Sequence, residues 1–167
     1  MRLDPDHRQV TRGGTTAILQ RGKNSANEGK TVTITPAEAQ TILTDYFAPW
    51  VRALDLTIEA ISPEGATLSM PVTADLARFG GIVSGQALAA MADTAMVFAA
   101  IGHLGTPAPV ATTNLDVQFL RPGHGERIRC DAEIVRAGKA LIFTRATMTA
   151  LPADKPVATA TATFYKP

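Results

Sequence analysis

The run Leu54-Asp55-Leu56-Thr57-Ile58-Glu59-Ala60-Ile61 alternates apolar and polar side chains with a period of two. Ala66-Thr67-Leu68-Ser69-Met70-Pro71-Val72 repeats the pattern after the separator Ser62-Pro63-Glu64-Gly65. Such alternation buries one face of a strand and solvates the other. The separator has turn chemistry, so the two runs predict a β-hairpin. Four more β-branched, alternating runs follow near 110–120, 126–137, 140–150 and 156–165. Turn-forming residues divide them: Arg121-Pro122-Gly123-His124-Gly125, Ala137-Gly138-Lys139 and Pro152-Ala153-Asp154-Lys155. They read as a four-strand meander.

A different pattern lies between these groups. Residues 86–101 are Ala, Met, Leu, Val and Phe on nearly every face, and the length and the helix-forming residues predict a helix. Ser84 is placed to cap its start, Gly102 is a suitable residue just past its end, and Gly105-Thr106-Pro107 closes the element. A shorter helix is announced by Thr35-Pro36-Ala37-Glu38, with Thr as cap, Pro at the first position and Glu at the third. It continues through Ile42, Leu43, Tyr46 and Phe47 to a stop at Pro49.

The order is helix, hairpin, long helix, meander. Strands segregated around one helix predict an α+β fold rather than a parallel βαβ sheet. A helix apolar all round must be covered all round. A curved antiparallel sheet of about six strands covers one side, and a second subunit is the simplest cover for the rest. This is the hotdog arrangement. Residues 1–30 are polar with no sustained period and are expected to be a poorly ordered tail or an arm, leaving 31–167 as the single domain.

Composition narrows the function classes. Sixteen basic and 15 acidic residues give a formal charge of +1, so no global field draws the chain to nucleic acid or to an anionic membrane. Cys130 is the only cysteine, which excludes an internal disulfide and suits a reducing, cytoplasmic setting. The polar start is unlike a secretory signal. The apolar stretch near 87–101 is interrupted by Asp93 and Thr94 and is expected to be too short to span a bilayer.

Asp93 is the anomaly in the long helix. No Lys, Arg or His lies within a turn of it. A carboxylate among apolar neighbours must be paired, hydrogen-bonded, protonated or open to a cleft. It is therefore a general base or nucleophile in a cleft, or a structural Asp held by a backbone amide or a strand arginine; the residues alone leave both open. At the helix start, the amides of Gly85 and Gln86 are donors without intrahelical acceptors, able to hold an oxyanion or simply to begin a helix. Gly85 and Asp93 are eight residues apart, about 12 Å along one helix. One subunit cannot bring both to a single carbonyl, so joint action requires Gly85 from one chain and Asp93 from its partner in a two-fold dimer. Thr112 and Thr113 open the next strand, where either reaches the site or does ordinary strand work. Arg121, Arg127, Arg129, Arg136 and Lys139 are candidates for a phosphate contact, and Cys130 for a buried, inert thiol. No metal-ligand spacing, phosphate loop or Gly-x-Ser-x-Gly elbow is present.

The segment Arg78-Phe79-Gly80-Gly81-Ile82-Val83-Ser84-Gly85-Gln86-Ala87-Leu88-Ala89-Ala90-Met91-Ala92-Asp93-Thr94-Ala95 resembles the PaaI-like branch of hotdog acyl-CoA thioesterases. Ala111-Thr112-Thr113-Asn114-Leu115-Asp116-Val117-Gln118-Phe119-Leu120-Arg121-Pro122-Gly123 resembles the next strand of that family. The resemblance covers about residues 36–165. It implies that Asp93 is the helix aspartate of thioester hydrolysis, as nucleophile or general base. Gly85 then supplies the oxyanion amide, Thr112 positions water, and the assembly is a homodimer or dimer of dimers. Three positions depart from the family pattern. Ser84-Gly85-Gln86 stands where the family has His-Gly-Gly, and Arg78 replaces an upstream Asn. Ser84 cannot titrate near neutrality as His does, and Gln86 either narrows the acyl pocket or binds a polar acyl group. Ser84, Gln86, Arg78 and Thr113 form the expected substrate-binding set. The implied reaction is hydrolysis of an acyl-CoA or related acyl thioester to acid and thiol. No metal or cofactor is expected beyond the coenzyme A of the substrate. The alternative is a non-catalytic acyl-CoA-binding module. A hydratase would want a His/Asp pair that neither His103 nor His124 is placed to provide.

Overall fold

Helix α3 (Gly85–Leu104) is the element the rest of the chain wraps. The computed structural model describes residues 33–167, so the expected tail at 1–30 lies outside the described residues. Before α3 come α1 (Pro36–Tyr46), α2 (Pro49–Arg52), β1 (Thr57–Ser62), β2 (Gly65–Pro71) and the two-residue strands β3 (Ala77–Arg78) and β4 (Ile82–Val83). After it come β5 (Ala111–Phe119), β6 (Arg127–Ala137), β7 (Leu141–Leu151) and β8 (Lys155–Tyr165). The main sheet is antiparallel, with six strands in the order β1-β2-β6-β7-β8-β5. It curves over α3, the hotdog fold.

The core is the contact between the inner sheet face and the helix. Leu68 and Met70 of β2, Ile128 and Cys130 of β6, Ile142 and Met148 of β7 and Phe164 of β8 are fully buried, as are Met91, Met96 and Phe98 of α3. Each large apolar side chain so buried contributes about 1.5–3 kcal/mol, and alternation along four strands sums that term on one face. Cys130 is buried as expected, and burial pushes its thiol far above the ordinary range.

Several sequence expectations need correction. The last four strands are not a simple meander: β6, β7 and β8 are, but β5 pairs with β8 at the far edge and β2 pairs with β6. Alternation identifies a strand without naming its neighbour. The connection back to β6 is held at the sheet end by Leu120 N–H and Arg121 N–H donating to Val157 O (2.9 and 3.3 Å) and Val83 N–H donating to Gly123 O (3.0 Å). Of the two glycines at the end of α3, the stop is Gly105, at φ 65°, in the closing segment Gly105-Thr106-Pro107, and not Gly102. Gly102 lies inside the helix for a packing reason: a Cβ there would sit 2.4 Å from Ser62 O and 2.8 Å from Ile61 Cγ1. Extended to 20 residues, α3 is long and apolar enough to cross a membrane by length and composition, contrary to expectation. Its 67% burial beneath its own sheet marks it as a core helix. Neither α2 nor the β3–β4 hairpin is legible in the periodicity, since four and two residues are too few to show a period.

Thr35 caps α1 as expected, its Oγ1 accepting from Glu38 N–H (3.2 Å) while Glu38 Oε2 accepts from Thr35 N–H (2.8 Å). The first helix is pinned to α3 by Phe47, whose ring stacks on Phe98 with centroids 5.4 Å apart.

Candidate functional site

Asp93 lies on the least buried stripe of α3, which also carries Gln86, Ala89, Ala90 and Val97. These positions recur at helical spacing, and the side of the helix they share is the one the sheet leaves uncovered. Asp93 Oδ1 accepts a hydrogen bond from Thr112 Oγ1 at 3.0 Å. Among the described residues no arginine, lysine or histidine pairs with it. Burial raises the carboxyl above its ordinary range, and the Thr112 hydroxyl partly offsets this by stabilising the charged form. Asp93 is thus a half-buried carboxyl with one hydroxyl partner. The strand-arginine alternative is not what the chain builds.

Local irregularity brings Thr112 there. Leu115, Val117 and Phe119 of β5 lie opposite the inward residues Ala162, Ala160 and Ala158 of β8. Thr112 lies opposite the buried Phe164, and the register shifts between Thr112 and Asn114. A bulge of this kind adds one residue to a strand and re-aims its side chains. Here it lets Thr112 face the helix three positions before Leu115, where strict alternation would turn one of them outward. The extra residue is Thr113, whose Oγ1 donates to Thr163 O at 3.0 Å. Thr113 is bound to the sheet and does not reach Asp93.

At the other end of α3, Ser84 is the N-cap. Its Oγ accepts from Ala87 N–H (3.3 Å), its carbonyl accepts from Leu88 N–H (3.2 Å), and its own N–H donates to Leu76 O (2.9 Å). Among the described residues this leaves the amides of Gly85 and Gln86 as the uncommitted donors of the first turn. The Phe119 ring lies over Gly85, with Cζ 3.2 Å from where a Cβ would stand. Glycine is therefore what allows the edge strand to close on the helix start. Gln86 is exposed. Arg78 is exposed at the β3–β4 turn, where Gly81 N–H donates to Arg78 O (3.1 Å) and Gly80 and Gly81 adopt φ 82° and 69°.

The structure brings Asp93 and Thr112 together and groups Ser84, Gly85 and Gln86. It keeps the two groups apart on one helix, by the same eight residues or about 12 Å counted from the sequence. Phe119 was not singled out by sequence reading. A lone aromatic in an alternating strand carries no signal until its cross-helix neighbour is known. Among the basic candidates, Arg129 is engaged with Asp131 (2.9 Å) and Asp154 (3.6 Å) and Arg127 with Glu59 (3.7 Å), while Arg121, Arg136 and Lys139 are exposed. His103 and His124 are exposed too, with His103 Nδ1 3.0 Å from Pro63 O.

Residues 80–156, which hold the helix start, Asp93 and Thr112, match the thioesterase superfamily. A thioesterase family protein from Silicibacter pomeroyi is 27% identical, with a TM-score of 0.68 over 76% of this chain and 93% of that one. Two others share the fold. The first is zebra fish thioesterase superfamily member 2, at 18% identity and TM-score 0.70 over 81% of this chain and 100% of that one. The second is a mutant of the phenylacetic acid degradation protein PaaI from Thermus thermophilus, at 24% and 0.64 over 72% and 100%. No curated protein matches the chain. The family match supports thioester hydrolysis as the general class of reaction.

Proposed function

We propose that this thioesterase-superfamily hotdog domain hydrolyses an acyl-CoA, with each active site shared between two copies of the chain. One observation carries the proposal: a half-buried carboxyl, Asp93, on a largely apolar helix, held by one hydroxyl and with no cationic partner among the described residues. Burial raises its basicity, while the Thr112 hydrogen bond orients it and keeps it able to ionise. The amides of Gly85 and Gln86 of the opposite copy receive the thioester oxygen as it becomes an oxyanion. Asp93 takes a proton from water as the water oxygen attacks the carbonyl carbon; in the alternative Asp93 attacks that carbon itself, the acyl group passes to its oxygen as a mixed anhydride when the thiolate leaves, and water then hydrolyses the anhydride to restore Asp93. The carbon–sulfur bond breaks, the thiolate leaves and is protonated, and the acid is released. Sharing follows from spacing, because donors and base on one helix are too far apart for one carbonyl. The open stripe of α3 and the edge strand β5, with Leu115 and Phe119 exposed, offer the second copy an apolar surface.

Asp93→Asn tests the chemistry. Thiol release from a panel of acyl-CoAs should fall by orders of magnitude while the oligomer persists; undiminished turnover rejects the mechanism. Mixing tests the sharing. Asp93→Asn and Gly85→Val chains, each inactive alone, should recover activity in mixed dimers, since one of the two sites is then intact.

A second reading, an acyl-CoA-binding module without turnover, is favoured by the Phe119 ring over Gly85 and by Ser84 at the family histidine position. Acyl-CoA binding without thiol release by the purified protein would select it.

A further inference from the structure

Gln86, in the first turn of α3, is exposed, and its side chain makes no hydrogen bond to any other described residue. We propose that its carboxamide reaches across the helix pair and donates to Asp93 of the opposite copy, as a positioning residue for that carboxylate. The inference rests on the shared-site reading and adds to it a group that tunes the basicity of Asp93.

Helix phase is the first argument. Gln86 and Asp93 are seven residues apart, about two turns, so their side chains leave α3 on one stripe, with Ala89 and Ala90 between them. Within one chain they stand about 10 Å apart along the helix and do not meet. Any contact between them is therefore a contact between chains.

Symmetry is the second. A shared site sets Gly85 of one copy level with Asp93 of the other. A two-fold axis then crosses the helix pair at Ala89, midway between positions 85 and 93. Gln86 lies three residues to one side of that axis and Asp93 four to the other. The two-fold operation brings them to the same side, one residue or about 1.5 Å out of level.

Approach is the third. Ala89 and Ala90, at the axis, carry one methyl each, so no bulky side chain there props the helices apart. Packed helices have axes about 8–10 Å apart, according to the side chains at the contact. A glutamine and an aspartate on facing stripes bridge that gap between them.

Chemistry is the fourth. Thr112 Oγ1 donates to Oδ1 of Asp93 at 3.0 Å, which leaves Oδ2 for a second donor. An amide supplies N–H donors without charge, so it steadies the carboxylate and still lets it take a proton. A further donor also works against burial, which pushes the carboxyl up. Among the described residues of α3 and β5, no charged side chain competes. Asp116 points to the outer face opposite Thr161, and His103 stands ten residues along α3 from Asp93.

The experiment reads the acidic limb of the kcat/KM profile for thiol release. Gln86→Met removes the donors and should move the limb up by about half a pH unit. Gln86→Glu sets two carboxylates face to face and should move it up by about one unit or more. Mixed dimers isolated by two tags locate the contact. An Asp93→Asn, Gln86→Glu chain paired with an unmodified chain leaves one live site, which contains the altered position 86, and its limb should move. An Asp93→Asn chain paired with a Gln86→Glu chain leaves a live site with its glutamine intact, and its limb should stay. Limbs that stay or fall in both single variants, the reverse pattern in the mixed dimers, or an altered preference among acyl-CoAs with the limb in place overturns the inference. Absence of thiol release from every acyl-CoA overturns the hydrolase reading instead. The contact is then read from the dimer dissociation constant, by sedimentation at mildly alkaline pH. At least tenfold weakening by Gln86→Glu, restored when Asp93→Asn is added to the same chain, upholds the inference. No weakening, or weakening that Asp93→Asn does not restore, removes it. A chain that sediments as a monomer removes the shared site and the inference together.

Discussion

Thr112→Val removes one hydroxyl and little else, because valine keeps the shape and the β-branching of threonine. The lost interaction is the donation from Thr112 Oγ1 to Asp93 Oδ1 at 3.0 Å. A hydrogen bond to a charged group is worth about 1.5–3 kcal/mol, and because both side chains are partly open to water about 1 kcal/mol is the fair allowance here. The donor stabilises the carboxylate and so lowers its pKa, against the raising effect of burial. Without it, burial acts unopposed and the pKa climbs. At about 1.4 kcal/mol per pH unit, the climb is about half to one unit. The assay is the pH profile of kcat/KM for thiol release, whose acidic limb reports the carboxylate in the free enzyme. That limb should move to higher pH, with a lower plateau because the base has lost its orienting partner. Thr113→Val is the control, since Thr113 Oγ1 donates to Thr163 O and not to Asp93. A limb that stays in place, moves to lower pH, or moves equally in the control refutes the argued role of Thr112.

Asp93→Asn should also change stability in a pH-dependent way. The folded-state pKa lies above the unfolded one, so the folded chain binds the proton more tightly and native stability falls as pH rises through that interval. Urea unfolding should show the Asn variant more stable than the parent at neutral pH, with the difference closing below the ordinary carboxylate range; a pH-independent difference contradicts this. Gly102→Ala places a methyl against Ser62 O and Ile61 Cγ1. Overpacking costs about 1–3 kcal/mol and alanine returns about 1 kcal/mol of helix propensity, so a net loss of up to about 2 kcal/mol is expected in urea midpoints at constant m. A more stable Gly102→Ala protein would mean that α3 and β1 separate without cost.

How far each feature was legible depends on the distance over which it is encoded. The alternation in β1, β2 and β6–β8 and the largely apolar run of α3 are local, and they determine strand, helix and α+β class because burial of apolar faces is the dominant favourable term. Asp93 stood out by the same logic, as a charge where the pattern has no place for one. So did Ser84 and Gly85, whose roles at a helix start depend only on neighbours in the chain.

Other features depend on groups far apart in sequence. That β5 lies beside β8, that a bulge after Thr112 turns its hydroxyl onto Asp93, and that Phe119 covers Gly85 are all set by register across the sheet. Gly102 looks like a helix stop in one dimension and is a contact with β1 in three. Side-chain period is a property of one segment, whereas pairing and register belong to several segments at once, and only packing decides them.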